Sequence, residues 1–258
     1  MPSNPSDTVA PCALILAAGA GRRLGATEPE HARTPKALLE FAGKSLLARH
    51  VAILRGLGIS AITVVIGFKA DHMRATLAAL TDGPPVATVV NSNFREGSVV
   101  SLWAGREVLR SGRPVILMDA DVLYDPHLMA RLVGTAWPGC LLLDRAIEPG
   151  DEPVKLCVRD GRIVDFHKRP TEPHEWHGES VGFFRLAPDI AHELARRVED
   201  YVEGGRRAME YEEPIRDMIM ASAADRFGFE DISGLPWIEI DFPEDVVKAR
   251  ALLPKIDG

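Results

Sequence analysis

Short apolar runs alternate with longer amphipathic stretches along most of this chain, and that rhythm constrains the fold more than any other feature. "CALILAA", "ISAITVVIG", "VATVVN" and "PVILMDADV" are strand-like, while "SLLARHVAILRGLG", "KADHMRATLAAL" and "GSVVSLWAGREVLR" have helical spacing. Strands fed by helices in this order make βα units and a mostly parallel sheet. Ser45 is placed to cap the first long helix, and Gly56 or Gly58 to end it. Pro126 opens a helix running to about Val133, and "CLLLD" is the next strand.

Beyond residue 150 the rhythm changes. "PVKLCVRDGRIVDFHKR" holds two alternating runs joined by Asp160-Gly161, a hairpin signal, and "SVGFFRLA" follows as another strand. Helices over 189–202 and 210–222, the strand "LPWIEID" and a helix starting at Pro243 complete the pattern. The expectation is a single α/β domain over 12–258, doubly wound, with antiparallel strands inserted over the sheet's carboxyl edge and residues 1–11 as a loose tail.

At 258 residues the chain can bury a large core. The net charge of -7 gives a nucleic acid no electrostatic help, and no apolar run approaches the ~18 residues that span a membrane. Cys12, Cys140 and Cys157 are odd in number and widely spaced, as expected of buried reduced thiols in a cytoplasmic protein. The eight histidines form no metal-binding spacing.

The first apolar run ends in "LAAGAGRRL", where glycines let the backbone N–H groups approach an anion and Arg23 can fork onto phosphate oxygens. Lys36 follows in "TPKALLEFAGKSLL" and would sit at the rim of that loop. Two familiar phosphate motifs fail. The dinucleotide fingerprint needs a helix at once, which Glu28, Pro29 and Pro35 interrupt, and no glycine stands five residues before Gly43 to complete a P-loop around "GKS". Two acids, Asp121 in "VILMDADVLY" and Asp241 in "WIEIDFPED", end strands far apart in sequence. Both can meet at the carboxyl edge of a doubly wound sheet and hold a metal ion. Asp119 is close enough to share that role, and Asp241 could instead cap the Pro243 helix.

"LAAGAGRRL…TPKALLEFAGKSLL" resembles the N-terminal signature of the sugar-phosphate nucleotidyltransferases, LAAGxGxRL…PKxLLxxxGxPLL, over Leu16–Leu47. One departure is the 13 positions from Arg23 to Lys36, longer than in the hexose-phosphate members, with the added residues in "ATEPEHAR". That loop over the nucleotide is expected to be reshaped. The resemblance implies a Rossmann-like nucleotidyltransferase fold, with Leu16, Ala17, Ala18, Gly19, Ala20 and Gly21 on the nucleotide, Arg23 and Lys36 catalytic, and Asp121 and Asp241 holding Mg2+. It also implies that Gly97 and Ser98 read the base, although Ser98 could be a helix cap, and that Asn91 reaches base or ribose.

"NSNFREGSVVSLW", "GRIVDFHKR", "ESVGFFRL", "EYEEPIRDMI" and "LPWIEIDFPEDVVKA" are similar to a narrower branch, the phosphocholine and 2-aminoethylphosphonate cytidylyltransferases. The implied reaction joins CTP to a small phosphorylated or phosphonylated amino alcohol and releases pyrophosphate. Residues 145–222 would bind the acceptor. An ammonium head asks for carboxylates or aromatic faces, and Glu179, Glu212, Trp176, Tyr211 and Phe183 are candidates; "EYEEP" could equally be a solvated helix start. Lys155 and Lys168 would clamp the acceptor phosphate or simply face solvent. A sugar- or inositol-1-phosphate acceptor, or a nucleotide-sensing domain without turnover, are the rival readings, and a homodimer is compatible with all of them.

Overall fold

The computed structural model describes residues 9–25, 34–147, 150, 152–223 and 225–257. The insertion "ATEPEHAR" lies outside the described residues, as does most of the expected tail. In chain order the first elements are β1 (Cys12–Ala17), α1 (Arg22–Gly25), β2 (Glu40–Phe41), β3 (Lys44–Ser45), α2 (Leu46–Gly56), β4 (Ile62–Ile66), α3 (Ala70–Ala78) and β5 (Ala87–Val90). There follow α4 (Ser98–Ala104), α5 (Arg106–Leu109), β6 (Val115–Asp119), β7 (Val122–Tyr124), α6 (Pro126–Val133) and β8 (Gly139–Asp144). The rest comprises β9 (Lys155–Arg159), β10 (Arg162–His167), β11 (Trp176–Leu186), α7 (Pro188–Glu203), α8 (Glu212–Ala221), β12 (Phe227–Asp231), β13 (Trp237–Glu239) and α9 (Pro243–Ile256).

Strands β5, β4, β1 and β6 lie side by side and parallel, and β11, antiparallel, extends them. Both faces of β1 are covered. Leu14 packs into one cluster with Leu117 and Phe184, whereas Ala13 and Ile15 pack into another with Val64 and Met118. A parallel strand buried on both sides reads as a continuous apolar run, which is why "CALILA" is legible as one. Ser45 caps α2 as expected, its hydroxyl accepting from Ala48 N at 3.2 Å. Asp160 and Gly161, at φ of 51° and 70°, make the turn between β9 and β10.

The structure departs from the sequence expectation in four places. The helix expected over 97–110 breaks at Gly105 into α4 and α5. The run "PVILMDADV" breaks after Asp119, and β7 leaves the main sheet to pair with β13. Strand β12, unforeseen, runs parallel to β8. Finally, β8 and β11 extend the sheet sideways from β6, while β9 and β10 pair with the stretch of β11 that runs past Asp119 and so lie beyond the carboxyl edge, as expected. Among the described residues no helix is long and apolar enough to cross a membrane, and the three cysteines are buried and free.

Strand β11 controls the geometry of the second half. Its Trp176–Glu179 stretch pairs with β9 and its Phe183–Leu186 stretch with β6, while β8 pairs with both stretches. The change of partner falls at Gly182, whose φ is +76°. A Cβ there would lie 2.4 Å from Asp119 Oδ2, so only glycine leaves room for that carboxylate. A strand that swaps partners at a bulge opens a gap between them. Here the gap becomes a cavity.

Helix α8 is tied to β10 by a buried carboxylate. Asp165 is fully buried, accepts from Phe166 N at 2.8 Å and Thr171 N at 2.7 Å, and pairs with Arg216 Nε at 2.7 Å. Burial alone would raise its pKa, but Arg216 and the backbone donors hold it below the usual carboxylate range. Removing one partner of such a pair strands the other charge, at a cost of roughly 3–5 kcal/mol. Arg216→Ala should therefore lower urea stability by about 3 kcal/mol at pH 7. The deficit should shrink as pH falls through the folded pKa of Asp165, because a depressed carboxyl stabilises only while ionised.

Candidate active site

Five segments converge at the carboxyl ends of β1 and β6. The turn after β1 brings Gly21 against Lys36: φ at Gly21 is +57°, and a Cβ there would lie 3.0 Å from Lys36 Cγ. The lysine stem thus passes directly over the glycine loop. Its Nζ donates to Asp121 Oδ2 at 3.0 Å and to Asp241 Oδ1 at 2.5 Å, and Arg23 Nη1 lies 3.1 Å from Asp241 Oδ2. Burial would lower the Lys36 pKa, yet Asp121 and Asp241 carry it above its usual value. The four residues that the sequence singled out for catalysis and metal binding do meet.

Asp241 does not cap α9. Phe242 holds the N-cap position, and Asp245, three residues into the helix, reaches back so that its Oδ2 accepts from the backbone N–H groups of Asp241 at 3.1 Å and Phe242 at 2.8 Å. Asp119 is close to Asp121 in sequence, but the break after β6 separates their tasks. Asp121 faces Lys36, while Asp119 accepts from Tyr211 OH at 2.6 Å. A third acid joins Asp121 and Asp241: Glu239 offers an oxygen within a group whose members all lie within 4.8 Å of one another. Desolvation, then Asp121, Asp241 and Asp119, push the Glu239 carboxyl well above its usual range. A compact set of three hard oxygen donors, repelling one another and held by two cations, fits a divalent ion. The alternation in "WIEID" was the available signal for Glu239, since it sits two residues before Asp241 on the same face.

Two cavities share this charged wall. One, of about 360 Å³, is lined by Leu16, Ala17, Ala18, Gly19, Gly21, Lys36, Gly97 and Ser98. The other, of about 480 Å³, is lined by Asp144, Phe166, Glu179, Gly182, Phe184 and Trp237. Arg23, Asp119, Lys168, Glu212, Glu239 and Asp241 line both.

The remaining expected residues divide. Ala20 lies outside the first lining, and Asn91 is buried, donating to Ser101 Oγ at 3.0 Å, so it braces that wall from behind. Ser98 is not the helix cap: Gly97 occupies that position and Ser98 Oγ accepts from Tyr211 N at 2.8 Å. Gly97 N donates to Arg207 O at 2.9 Å, so the segment before α8 closes over the start of α4. Lys168 reaches Glu210 at 3.3 Å beside both cavities. Lys155 instead donates to Gly150 O and Lys168 O, at 3.1 and 2.9 Å, and lines neither. Trp176 also lines neither cavity; it stacks edge-on against Phe229 at 5.8 Å beneath Arg145. Phe183 packs on Tyr124 on the opposite side of the sheet, and Phe184 is the aromatic that faces the cavity.

Glu212 is the most strained of these groups. Its Oε2 is buried without a hydrogen-bond partner among the described residues, and burial, then Glu210, push its carboxyl up to about 8. Burial and the charges of Asp121 and Glu212 likewise raise Asp119.

The chain belongs to the MobA-like NTP transferase domain family, which matches residues 13–163. It is similar to the CMP-5'-(3-aminopropyl)phosphonate synthase of Streptomyces rubellomurinus, 26% identical over 244 residues, covering 93% of this chain and 38% of that protein. The bifunctional IPC transferase and DIPP synthase of Rubrobacter xylanophilus is 28% identical over 238 residues, covering 91% of this chain and 50% of that protein. The chain thus spans half the length or less of these curated relatives. The fold is shared with the CTP:phosphocholine cytidylyltransferase of Streptococcus pneumoniae, at a TM-score of 0.73 and 20% identity, covering 95% of this chain and all of that one.

The raised Glu212 carboxyl has a measurable consequence. Below about pH 4 folded and unfolded chains both bind its proton, whereas from there to about 8 only the folded chain does. Stability is therefore lost as pH rises through that window. Glu212→Gln should be more stable than the parent at pH 8, by on the order of a few kcal/mol, and equal to it at pH 4 in urea unfolding.

Proposed function

We propose that this chain transfers a cytidylyl group from CTP to a small phosphorylated or phosphonylated amino alcohol. The observation that carries the acceptor class is the buried Glu212 oxygen, without a hydrogen-bond partner among the described residues, in a cavity also lined by Asp119, Asp144 and Glu179. For want of a donor this carboxyl keeps its proton near neutrality, and an ammonium group supplies the charge and the hydrogen bond that let it ionise. A hexose- or inositol-phosphate offers hydroxyls but no compensating charge for so acidic a wall. The donor CTP is supported by the cytidylyl chemistry named for the aminopropylphosphonate relative.

In this reading the smaller cavity takes the nucleotide and the larger the acceptor, with the α-phosphate at their shared wall. An acceptor phosphate or phosphonate oxygen forms a bond to the α-phosphorus, and the bond from that phosphorus to the pyrophosphate oxygen breaks. The nucleophile is already ionised, so no general base is needed. Lys36 and Arg23 neutralise the developing charge once triphosphate draws them from Asp241, and Lys168 orients the acceptor's anionic end. Asp121, Glu239 and Asp241 would hold Mg2+, which supplies charge neutralisation on phosphate oxygens when bound. The acceptor wall draws on residues 145–222 and also on Trp237, Phe242 and Lys248.

Pyrophosphate release with each of the four nucleoside triphosphates and a panel of acceptors tests the assignment. CTP with phosphoethanolamine, phosphocholine or 2-aminoethylphosphonate should outpace glycerol phosphate and hexose-1-phosphates. A preference for the sugars would remove the acceptor class and leave the transferase reading intact.

Two sets of variants probe the machinery. Lys36→Ala should lower kcat by ~10²–10³-fold, as removal of one electrostatic donor does elsewhere, beyond any loss of folded protein read from urea unfolding. Asp121→Asn and Asp241→Asn should each raise the Mg2+ concentration needed for half-maximal rate, with Asp119→Asn milder than either. The opposite ranking would make Asp119 the metal ligand.

A further inference from the structure

A third pocket, which shares no lining residue with either cavity, is not used by the transfer reaction. It has a volume of about 140 Å³, and its walls include Arg49, His50, Ile53, Val122, Tyr124 and Ile256. His50 and Tyr124 are 0% and 2% exposed. Each nevertheless leaves a polar atom without a partner among the described residues: His50 Nδ1 and Tyr124 OH, joined by Arg49 Nε. Buried polar atoms are nearly always paired, so three orphans on residues that line one small pocket are exceptional.

Their chemistry specifies a ligand. His50 Nε2 lies 3.2 Å from Ala120 O, an acceptor, which places the ring proton on Nε2 and leaves Nδ1 as a bare acceptor. Burial pushes the imidazole down to about 4, so it stays neutral near pH 7. Tyr124 OH can donate or accept, and Arg49 Nε can only donate. Ile53, Val122 and Ile256 offer apolar surface beside these groups. A cavity of roughly 150 Å³ holds a molecule the size of benzene. The complement is one hydroxyl on a small apolar body.

The pocket also backs directly onto the acids of the front face. Ala120, which His50 touches, separates Asp119 from Asp121 in sequence. Val122, a pocket wall, pairs with Glu239, and Ile240 N donates to Asp121 O at 2.9 Å. We propose that this cavity is a binding site for a small, neutral, hydroxyl-bearing apolar compound, and that its occupancy shifts the affinity of the Asp121–Glu239–Asp241 group for a divalent cation.

Phenol and benzene, titrated into the full chain and followed by NMR of the His50 ring and neighbouring methyl groups, test the site without any assay of turnover. Phenol should saturate the Ile53, Val122 and Ile256 methyl shifts and move the His50 Nδ1 resonance, with benzene at least ~10-fold weaker because it leaves the polar atoms unpaired. Tyr124→Phe and His50→Phe should each weaken phenol by ~10-fold or more while sparing benzene. If one variant does not fold, the other suffices. Equal binding of the two probes, shifts elsewhere, or no saturation would overturn the site. A Mg2+ titration read from the Asp121 and Asp241 amides should then change its midpoint when phenol is present; an unchanged midpoint overturns the coupling. Failure to bind Mg2+ at all would count against the metal reading of the active site and leave the phenol result standing.

Discussion

The structure depends on the attraction between Lys36 and the two acids that end distant strands. Asp121 and Asp241 are far apart in sequence; the pairing of β7 with β13 and the Ile240 N–Asp121 O hydrogen bond bring them side by side, and the Lys36 ammonium bridges their carboxylates. Around this contact the protein gathers more carboxyl groups than the cations balance: Asp119, Glu212 and Glu239 are all raised by desolvation and by neighbouring acids. Such a site is stable only in part. The imbalance is a demand for positive charge, and two kinds of cation answer it in the proposed reaction, a metal ion beside Asp121 and an ammonium beside Glu212.

The same charge distribution suggests why the two cavities meet where they do. Gly182 breaks β11 so that β6 and β9 part, and the gap admits the Asp119 carboxylate and the Tyr211 hydroxyl. On the other side the glycine loop leaves backbone and the Lys36 stem facing the smaller cavity. Glycines thus set both approaches to one charged wall. Tyr211 links them further, since its backbone N–H holds Ser98 and its hydroxyl holds Asp119.

Much of this was legible in the residues. Continuous apolar runs marked the parallel strands because both faces of the sheet are covered, and the glycine loop, Arg23, Lys36, Asp121 and Asp241 formed a recognisable set. What escaped reading depended on register and long-range packing. Whether Phe183 or Phe184 faces the cavity is decided by the pairing of β11 with β6, which no local pattern fixes. Trp176 looked like an aromatic wall for an ammonium, yet the start of β11 pairs with β9 and carries it to Phe229. Lys155, equally exposed in sequence terms, is engaged by two carbonyls of its own neighbourhood. Glu239 was one alternation step from a residue already singled out, and Gly182 stood inside a strand pattern, where an isolated glycine signals a bulge. Both signals were present but became specific only with the fold.

In the proposed reaction an acidic cavity beside a nucleotide site selects the acceptor by its positive charge. Calorimetric titration of the Mg2+- and CTP-analogue-loaded chain with 2-aminoethylphosphonate and with propylphosphonate isolates that charge, because a methyl group replaces the ammonium at nearly constant size. The ammonium compound should bind at least ~10-fold tighter, as expected for a charge-assisted hydrogen bond to a buried carboxylate. Equal affinities for the two would contradict it.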